Sequence, residues 1–172
     1  MTRAPLFAWA CLVVWAVWLF ALQGLWATSR FGAWVPDVGL VLLLGLILRV
    51  TPRRARWAAV WIAVARIAFG ADPPVAVLAG YLGFVGFCRA LRGAVELERP
   101  LVRAVLGGLG AALLAFFWTA AREIEIDRHG VSPHLQGFYW QSAAATALAA
   151  LLLGALPARL PGLVPLWKRR GP

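Results

Sequence analysis

The sequence is poor in the side chains on which catalysis and polar ligand binding depend. Its 172 residues include no asparagine, two histidines, two cysteines and seven acidic residues. Neither the nucleophile elbow of serine hydrolases nor the zinc-binding helix motif of metalloproteases occurs. A membrane enzyme, or a carrier of a polar solute, needs donors and acceptors that converge near the middle of the bilayer. The composition therefore predicts a protein that is not an enzyme and has neither a cofactor nor a metal.

Polar surface is scarce as well. Hydrophobic residues make up 62% of the chain, charged residues 14%, and the mean hydropathy is +0.78. A water-soluble domain needs more polar surface than this to cover its core. The charges are gathered between apolar runs, as they are in membrane crossings joined by short links. We expect one all-α integral membrane domain over residues 1–172, in which Cys11 and Cys88 are buried thiols without metal or redox spacing.

Six apolar runs predict six transmembrane helices. They cover residues 6–27, 35–50, 57–69, 73–90, 101–121 and 138–156. The third run is the shortest, since its 13 residues extend only about 20 Å as a helix, against a hydrocarbon core of about 30 Å. A cleaved signal peptide is the alternative interpretation of the first run, but about 22 apolar residues exceed the 7 to 15 of a signal sequence.

The basic residues are sorted between the two sides of this predicted bundle. When the links are assigned alternately to the two sides, 13 of the 17 lysines and arginines fall on one side and three on the other. The positive-inside rule then places both termini in the cytoplasm. The turn between spans two and three is the most basic, with Arg49, Arg53, Arg54 and Arg56. Membrane lipid is the expected partner of this side, and nucleic acid is not, because no nucleic-acid-binding motif is present.

Arg66 is the one cation that lies well inside an apolar run. A charge within the bilayer costs a few kcal/mol, so we expect it to have a partner. Asp37 and Asp72 lie at nearly the same depth, and an ion pair with either would hold the outer end of the hairpin. Pro36, Asp37, Arg66 and Asp72 therefore form the candidate site, whose role is either structural or a contact with a partner or ligand.

Small residues recur at steps of three and four in spans four and five. Such positions let two membrane helices approach closely. The predicted packing faces consist of Ala76, Gly80, Gly83, Gly107, Gly108, Ala111 and Ala112.

Two segments outside the spans have patterns of their own. In residues 123–129, acidic residues and His129 alternate with Ile124, Ile126 and Arg128, which favours a short strand. A solvated acidic face, a metal site and an edge for an extended partner are all compatible with that row. The C-terminal segment from residue 157 mixes leucines and Trp167 with cations, which is typical of a segment lying on anionic lipid.

Part of the chain resembles a known family. The segment WVPDVGLVLLLGLILR, the basic turn after it, GADPPVAVLAGYLGFVGFCRALR and AVLGGLGAALLAFF are similar to the rod shape-determining membrane protein family MreD. Pro36 and Asp37 match the opening of the family's second span, and Asp72, Pro73 and Tyr81 match its outer turn and following span. Arg66 stands near a position where the family usually has an acidic residue.

The resemblance implies a non-catalytic component of the bacterial inner membrane that takes part in cell elongation and peptidoglycan synthesis. Its implied partners are an MreC-like bitopic protein, an actin-like filament, and the peptidoglycan polymerase with its transpeptidase. The family is distantly similar to the substrate-binding subunits of energy-coupling-factor transporters, and such a vitamin-binding subunit is the alternative. A cavity with polar groups on the outer side would favour that alternative.

Overall fold

The computed structural model describes residues 3–70, 72–125 and 133–167, and in these ranges the regular structure is helical. The predicted all-α class is thus confirmed. The α-helices are α1 (Arg3–Ala27), α2 (Val38–Ile47), α3 (Pro52–Phe69), α4 (Pro74–Leu91), α5 (Pro100–Glu125) and α6 (Pro133–Leu153). Within these ranges, three stretches are long and apolar enough to cross a membrane: Leu6–Ala27, Pro74–Leu91 and Pro100–Arg122.

We name the two ends of the bundle by their charged residues. At the basic end, α2 passes into α3 through the arginine-rich turn, and α4 passes into α5. At the aspartate end, Asp37 precedes α2 and Asp72 precedes α4.

Helix α2 is the centre of the bundle. Its residues from Gly39 to Ile47 are all buried, and it packs against each of the other five α-helices. At 10 residues it is about 15 Å long, so the predicted span 35–50 was too long for the helix that forms. Protein surrounds α2, so the non-helical backbone at its two ends is not exposed to lipid, where unpaired amide and carbonyl groups would find no hydrogen-bond partner.

Helix α3 is longer than its apolar run. It begins at Pro52 rather than at residue 57 and contains 18 residues, which correspond to about 27 Å. Proline suits this first position because the amide hydrogen that it lacks would be unpaired there in any case. The predicted span began at Trp57 because hydropathy is low at the arginines before it, whereas arginine is a good helix former and the helix starts earlier.

Several of the small residues lie where helices approach closely. A Cβ atom on Gly107 would lie 2.9 Å from the Ala150 side chain of α6, and one on Gly108 would lie 3.0 Å from Ala147. A Cβ atom on Gly80 would lie 2.8 Å from the Leu114 side chain of α5. Ala76 and Ala111 are buried and Ala112 is half-buried. Gly83 differs from these, since a Cβ atom there would have no neighbour within 4 Å among the described residues.

The prediction of a short strand in residues 123–129 is wrong for residues 123–125. Helix α5 continues through Glu125, and residues 126–129 lie outside the described part of the chain. An alternation of polar and apolar residues over so few positions is also compatible with the end of a long helix. Here α5 continues from predicted span five into this segment.

The C-terminal segment packs on protein over residues 156–167, and the cations from Lys168 on which the prediction of a lipid contact rested lie outside the described residues. Leu163 and Leu166 are 0% and 1% exposed and belong to the core. Arg54 of α3 donates a hydrogen bond of 2.8 Å to the Leu166 carbonyl, and Trp167 forms an isolated bridge with Val50. Residues 156–167 therefore close the basic end of the bundle.

Candidate functional site

The predicted site residues meet at the aspartate end. Asp37 lies directly before α2, where its Oδ1 accepts a hydrogen bond of 3.0 Å from the Leu40 amide. Aspartate at this position satisfies an otherwise unpaired amide and places negative charge at the positive end of the helix dipole. Pro36 disfavours a helical conformation at the residue before it, and Val35 is extended. The Pro-Asp pair thus fixes where α2 begins and where its carboxylate lies.

Arg66 joins both aspartates. It lies in the last turn of α3, and its Nη1 is 3.2 Å from Oδ2 of Asp37. Its Nη2 is 3.2 Å from Oδ2 of Asp72, which lies in the turn before α4. The sequence predicted a contact with one aspartate or the other, and the structure has both. One guanidinium therefore ties α2, α3 and the start of α4 together.

Arg122 completes the group from α5. Its Nη2 is 2.5 Å from Oδ1 of Asp72, so that Asp72 lies between two arginines. We call Asp37, Arg66, Asp72 and Arg122 the aspartate cluster. With two cations and two anions its formal charge is zero, which lowers the cost of placing these groups in a largely apolar protein.

Aromatic residues surround this cluster. The Tyr81 hydroxyl, which is fully buried, donates a hydrogen bond of 3.0 Å to Asp37 Oδ1. The Arg66 guanidinium lies over the Trp118 ring at 4.2 Å from the ring centre, a cation–π arrangement. The Trp118 indole N–H in turn donates 3.0 Å to the Ala76 carbonyl, which fixes the ring against α4.

Helix α6 contributes a further hydrogen bond. The Thr146 hydroxyl accepts from the Asp37 amide at 2.8 Å and donates to the Ser142 carbonyl at 2.7 Å. Thr146 is 0% exposed. The chain entry to α2 is thereby fixed to α6.

Sequence reasoning missed Arg122, Tyr81, Trp118 and Thr146 as members of this site. The available signal for Arg122 was its position at the end of predicted span five, which the alternation of the spans puts at the same end of the bundle as the Asp72 turn. Tyr81 and Thr146 gave no comparable signal, since which face of a helix meets a particular carboxylate depends on the packing.

The arrangement leaves little capacity for chemistry at the aspartates. Asp37 Oδ1 accepts from Leu40 and Tyr81, and its Oδ2 is paired with Arg66. Both carboxylate oxygens of Asp72 are paired with arginine. A general base or metal ligand needs a free lone pair that faces a substrate or ion. In residues 3–70, 72–125 and 133–167, moreover, no group of three or more His, Cys, Asp or Glu side chains is placed to hold a metal ion.

Two cavities lie near this end of the bundle. One of about 150 Å³ borders Arg66, and Gln23 is its other polar side chain. The second, of about 440 Å³, is an apolar groove between α1, α2 and α6, which Pro36 lines together with Trp26 and Leu42. Pocket volumes for drug-sized ligands are typically about 300–1,000 Å³, so the polar cavity is small and the larger groove is almost wholly apolar.

The predicted basic turn divides into two pairs at the other end. Arg54 donates to carbonyls of the C-terminal segment, and the Arg49 guanidinium lies 5.0 Å from the centre of the Trp167 ring. Arg49, Arg53 and Arg56 are exposed. Arg49 and Arg54 therefore contact the C-terminal segment, whereas the Arg53 and Arg56 side chains face the surroundings.

Comparisons of the chain with protein-family models, with curated proteins and with solved structures give no match.

Proposed function

We propose that this protein is a non-catalytic scaffold of the bacterial inner membrane. In this proposal the six helices cross the bilayer, both termini are cytoplasmic, and the bundle assembles partner membrane proteins of the cell-elongation machinery for peptidoglycan synthesis. The family resemblance carried by residues 34–117 supplies the biological setting, and the geometry supplies the reasons for a scaffold.

The aspartate cluster is the observation that carries the proposal. The most polar buried group of the described chain is formally neutral, and its four carboxylate oxygens are bound by the chain itself. Such a group stabilises one arrangement of α2, α3, α4 and α5. A rigid bundle with apolar outer faces suits a protein that works through contacts with other membrane proteins.

Helix α4 offers the surface on which such a contact fits best. Gly83 and Gly86 have open space where a side chain would lie, and Val75 on this helix is 81% exposed. Small residues at such positions permit a partner helix to come within van der Waals contact of the backbone. A bitopic partner, with its single transmembrane helix, is the kind of protein that this surface accommodates.

The vitamin-transporter alternative has weaker support. A substrate-binding subunit needs an outer cavity with convergent polar groups. The cavity at Arg66 is about 150 Å³ and has two polar side chains, Arg66 and Gln23.

Co-purification tests the proposal. The protein is extracted in a mild detergent from cells that also produce an MreC-like partner, and the amount of partner recovered per folded molecule is measured. Gly83→Leu fills the open position on α4 and is expected to reduce recovery about tenfold without changing the unfolding temperature. Gly24→Leu is the matched control, because a Cβ atom at Gly24 also meets no neighbour within 4 Å in the described structure.

Three results would count against the scaffold. The first is no recovery of any cell-wall partner by the wild type, and the second is equal recovery by the two leucine variants and the wild type. The third comes from a reporter fused after Pro172: if it lies outside the cytoplasm, the proposed six crossings are wrong.

A further inference from the structure

The arginines at the two ends of the bundle differ in what they contact. At the aspartate end, Arg66 and Arg122 are paired with carboxylates. At the basic end, the links 49–56 and 89–103 hold eight arginines and two glutamates. In the described part of these links one ion pair forms, between Arg99 and Glu96. The basic end therefore has a large excess of positive charge that the chain does not neutralise.

Some of these arginines have partners other than carboxylates. Arg54 binds carbonyls of the C-terminal segment, Arg92 donates to the Leu48 carbonyl, and Arg49 stacks on Trp167. Arg53, Arg56, Arg89 and Arg103 remain, and among the described residues none of the four forms an ion pair. Arg53 and Arg56 are exposed, and Arg89 and Arg103 are half-buried.

Arg53, Arg56 and Arg89 lie at the same end of the bundle as two exposed aromatic residues. Arg53 and Arg56 lie in the first turns of α3, and Arg89 lies in the last turn of α4. The two helices are consecutive, antiparallel and packed against each other, so their turns lie at the same level. Trp57 follows Arg56 and is 51% exposed, and Phe87 lies two residues before Arg89 and is 50% exposed. We call Arg53, Arg56, Trp57, Phe87 and Arg89 the basic-aromatic patch.

We propose that the basic-aromatic patch binds the headgroups of anionic phospholipids in the cytoplasmic leaflet. Guanidinium groups bind phosphate through charge-assisted hydrogen bonds, and tryptophan favours the boundary between headgroups and acyl chains. The patch combines both features, with cations toward the end of the bundle and apolar rings beside them. An acidic segment of a soluble protein would neutralise the arginines but would give Trp57 and Phe87 no apolar surroundings. This inference depends on the proposed crossing of the membrane by α3 and α4.

Lipid titration of the purified full-length protein tests the inference. Phosphatidylglycerol and phosphatidylcholine with identical acyl chains are added separately to the protein in detergent, and bound lipid is counted by native mass spectrometry. We expect a preference for phosphatidylglycerol that falls when salt is raised, since screening weakens exposed charge pairs. Replacing Arg53, Arg56 and Arg89 together by glutamine should reduce the preference by about fivefold for each arginine.

Arg99→Gln is the matched control, because Arg99 is exposed at the same end but is paired with Glu96. It should keep at least half of the preference. The inference is overturned if the two lipids bind equally to the wild type, or if the triple variant keeps the full preference at an unchanged unfolding temperature. It is also overturned if polyglutamate binds to the patch and phosphatidylglycerol does not.

Failure here is distinguishable from failure of the scaffold. The lipid preference is measured without partners, whereas the scaffold is tested by partner recovery with the α4 variant Gly83→Leu. A protein that alkaline carbonate extracts from membranes would contradict both proposals, because both require the bundle to be embedded.

Discussion

Arg66 and Asp37 lie 29 positions apart in the sequence and form an ion pair of 3.2 Å between α3 and the start of α2. Their side chains are 17% and 7% exposed, so the pair lies largely within the protein. Asp37 is also the residue directly before α2, and its side chain caps the helix. The same carboxylate thus starts the central helix and binds the next helix to it, which makes the start of α2 the most heavily fixed point of the fold.

The hydroxyl of Tyr81 should stabilise this point measurably. Tyr81→Phe removes the hydrogen bond to Asp37 and keeps the ring, so we expect a loss of about 1.5–3 kcal/mol, as for hydrogen bonds to charged groups. Tyr139→Phe is the comparison, since its hydroxyl bonds to the neutral Thr119. Its loss should be about 1 kcal/mol. Thermal unfolding in detergent measures both, and an equal loss for the two variants would show that the charge of Asp37 has no influence.

Gly39 should not tolerate a methyl group. A Cβ atom there would lie 2.3 Å from the Tyr81 hydroxyl and 2.9 Å from the Phe20 ring. The hydroxyl cannot move away without losing its hydrogen bond to Asp37. Gly39→Ala should therefore lower the free energy of unfolding by about 1–3 kcal/mol through overpacking. The gain in helix propensity, roughly 1 kcal/mol, offsets only the lower end of that range.

Gly24→Ala is the control for this substitution. Gly24 lies in α1 with open space around it, so the variant should be neutral or more stable by up to about 1 kcal/mol. Unfolding temperatures of the two variants decide the point. A stable Gly39→Ala protein would mean that Tyr81 does not lie against the start of α2.

The C-terminal segment should contribute to stability. Leu166 is 1% exposed, and Leu166→Ala should cost about 2–5 kcal/mol, as for other buried leucines. Val164 nearby is 69% exposed, so Val164→Ala should stay within about 0.5 kcal/mol. Equal unfolding temperatures for these two variants would favour the alternative in which the segment lies on lipid.

Particular residues show what the sequence could and could not predict. Position along the predicted spans was sufficient to pair Arg66 with the two aspartates. A charge in an apolar run requires a partner, and few acidic residues lie at its level. Arg122 was assigned to a link, since a linear pattern does not indicate that α5 brings it to Asp72, 50 positions earlier. The start of α3 was missed for the same kind of reason. Hydropathy follows apolar content, whereas the helix begins at the proline before the arginines.

The C-terminal segment illustrates a different limit. Its mixture of leucines and cations identifies a face that avoids water, but the same face suits a lipid surface and a protein core. The contacts of Leu163, Leu166 and Arg54 decide between them, and those contacts depend on where α2 and α3 meet.

A double-mutant cycle on Arg66 and Asp37, read by thermal unfolding in detergent, tests most directly whether the buried charges hold the bundle together. Arg66→Met should cost about 3–5 kcal/mol, because it leaves the buried Asp37 without a cation. Asp37→Asn should cost less, because Arg66 keeps its ion pair with Asp72. The double variant should be at least about 1 kcal/mol more stable than the sum of the two losses predicts. Strictly additive losses, or single variants as stable as the wild type, would contradict a structural role for this pair.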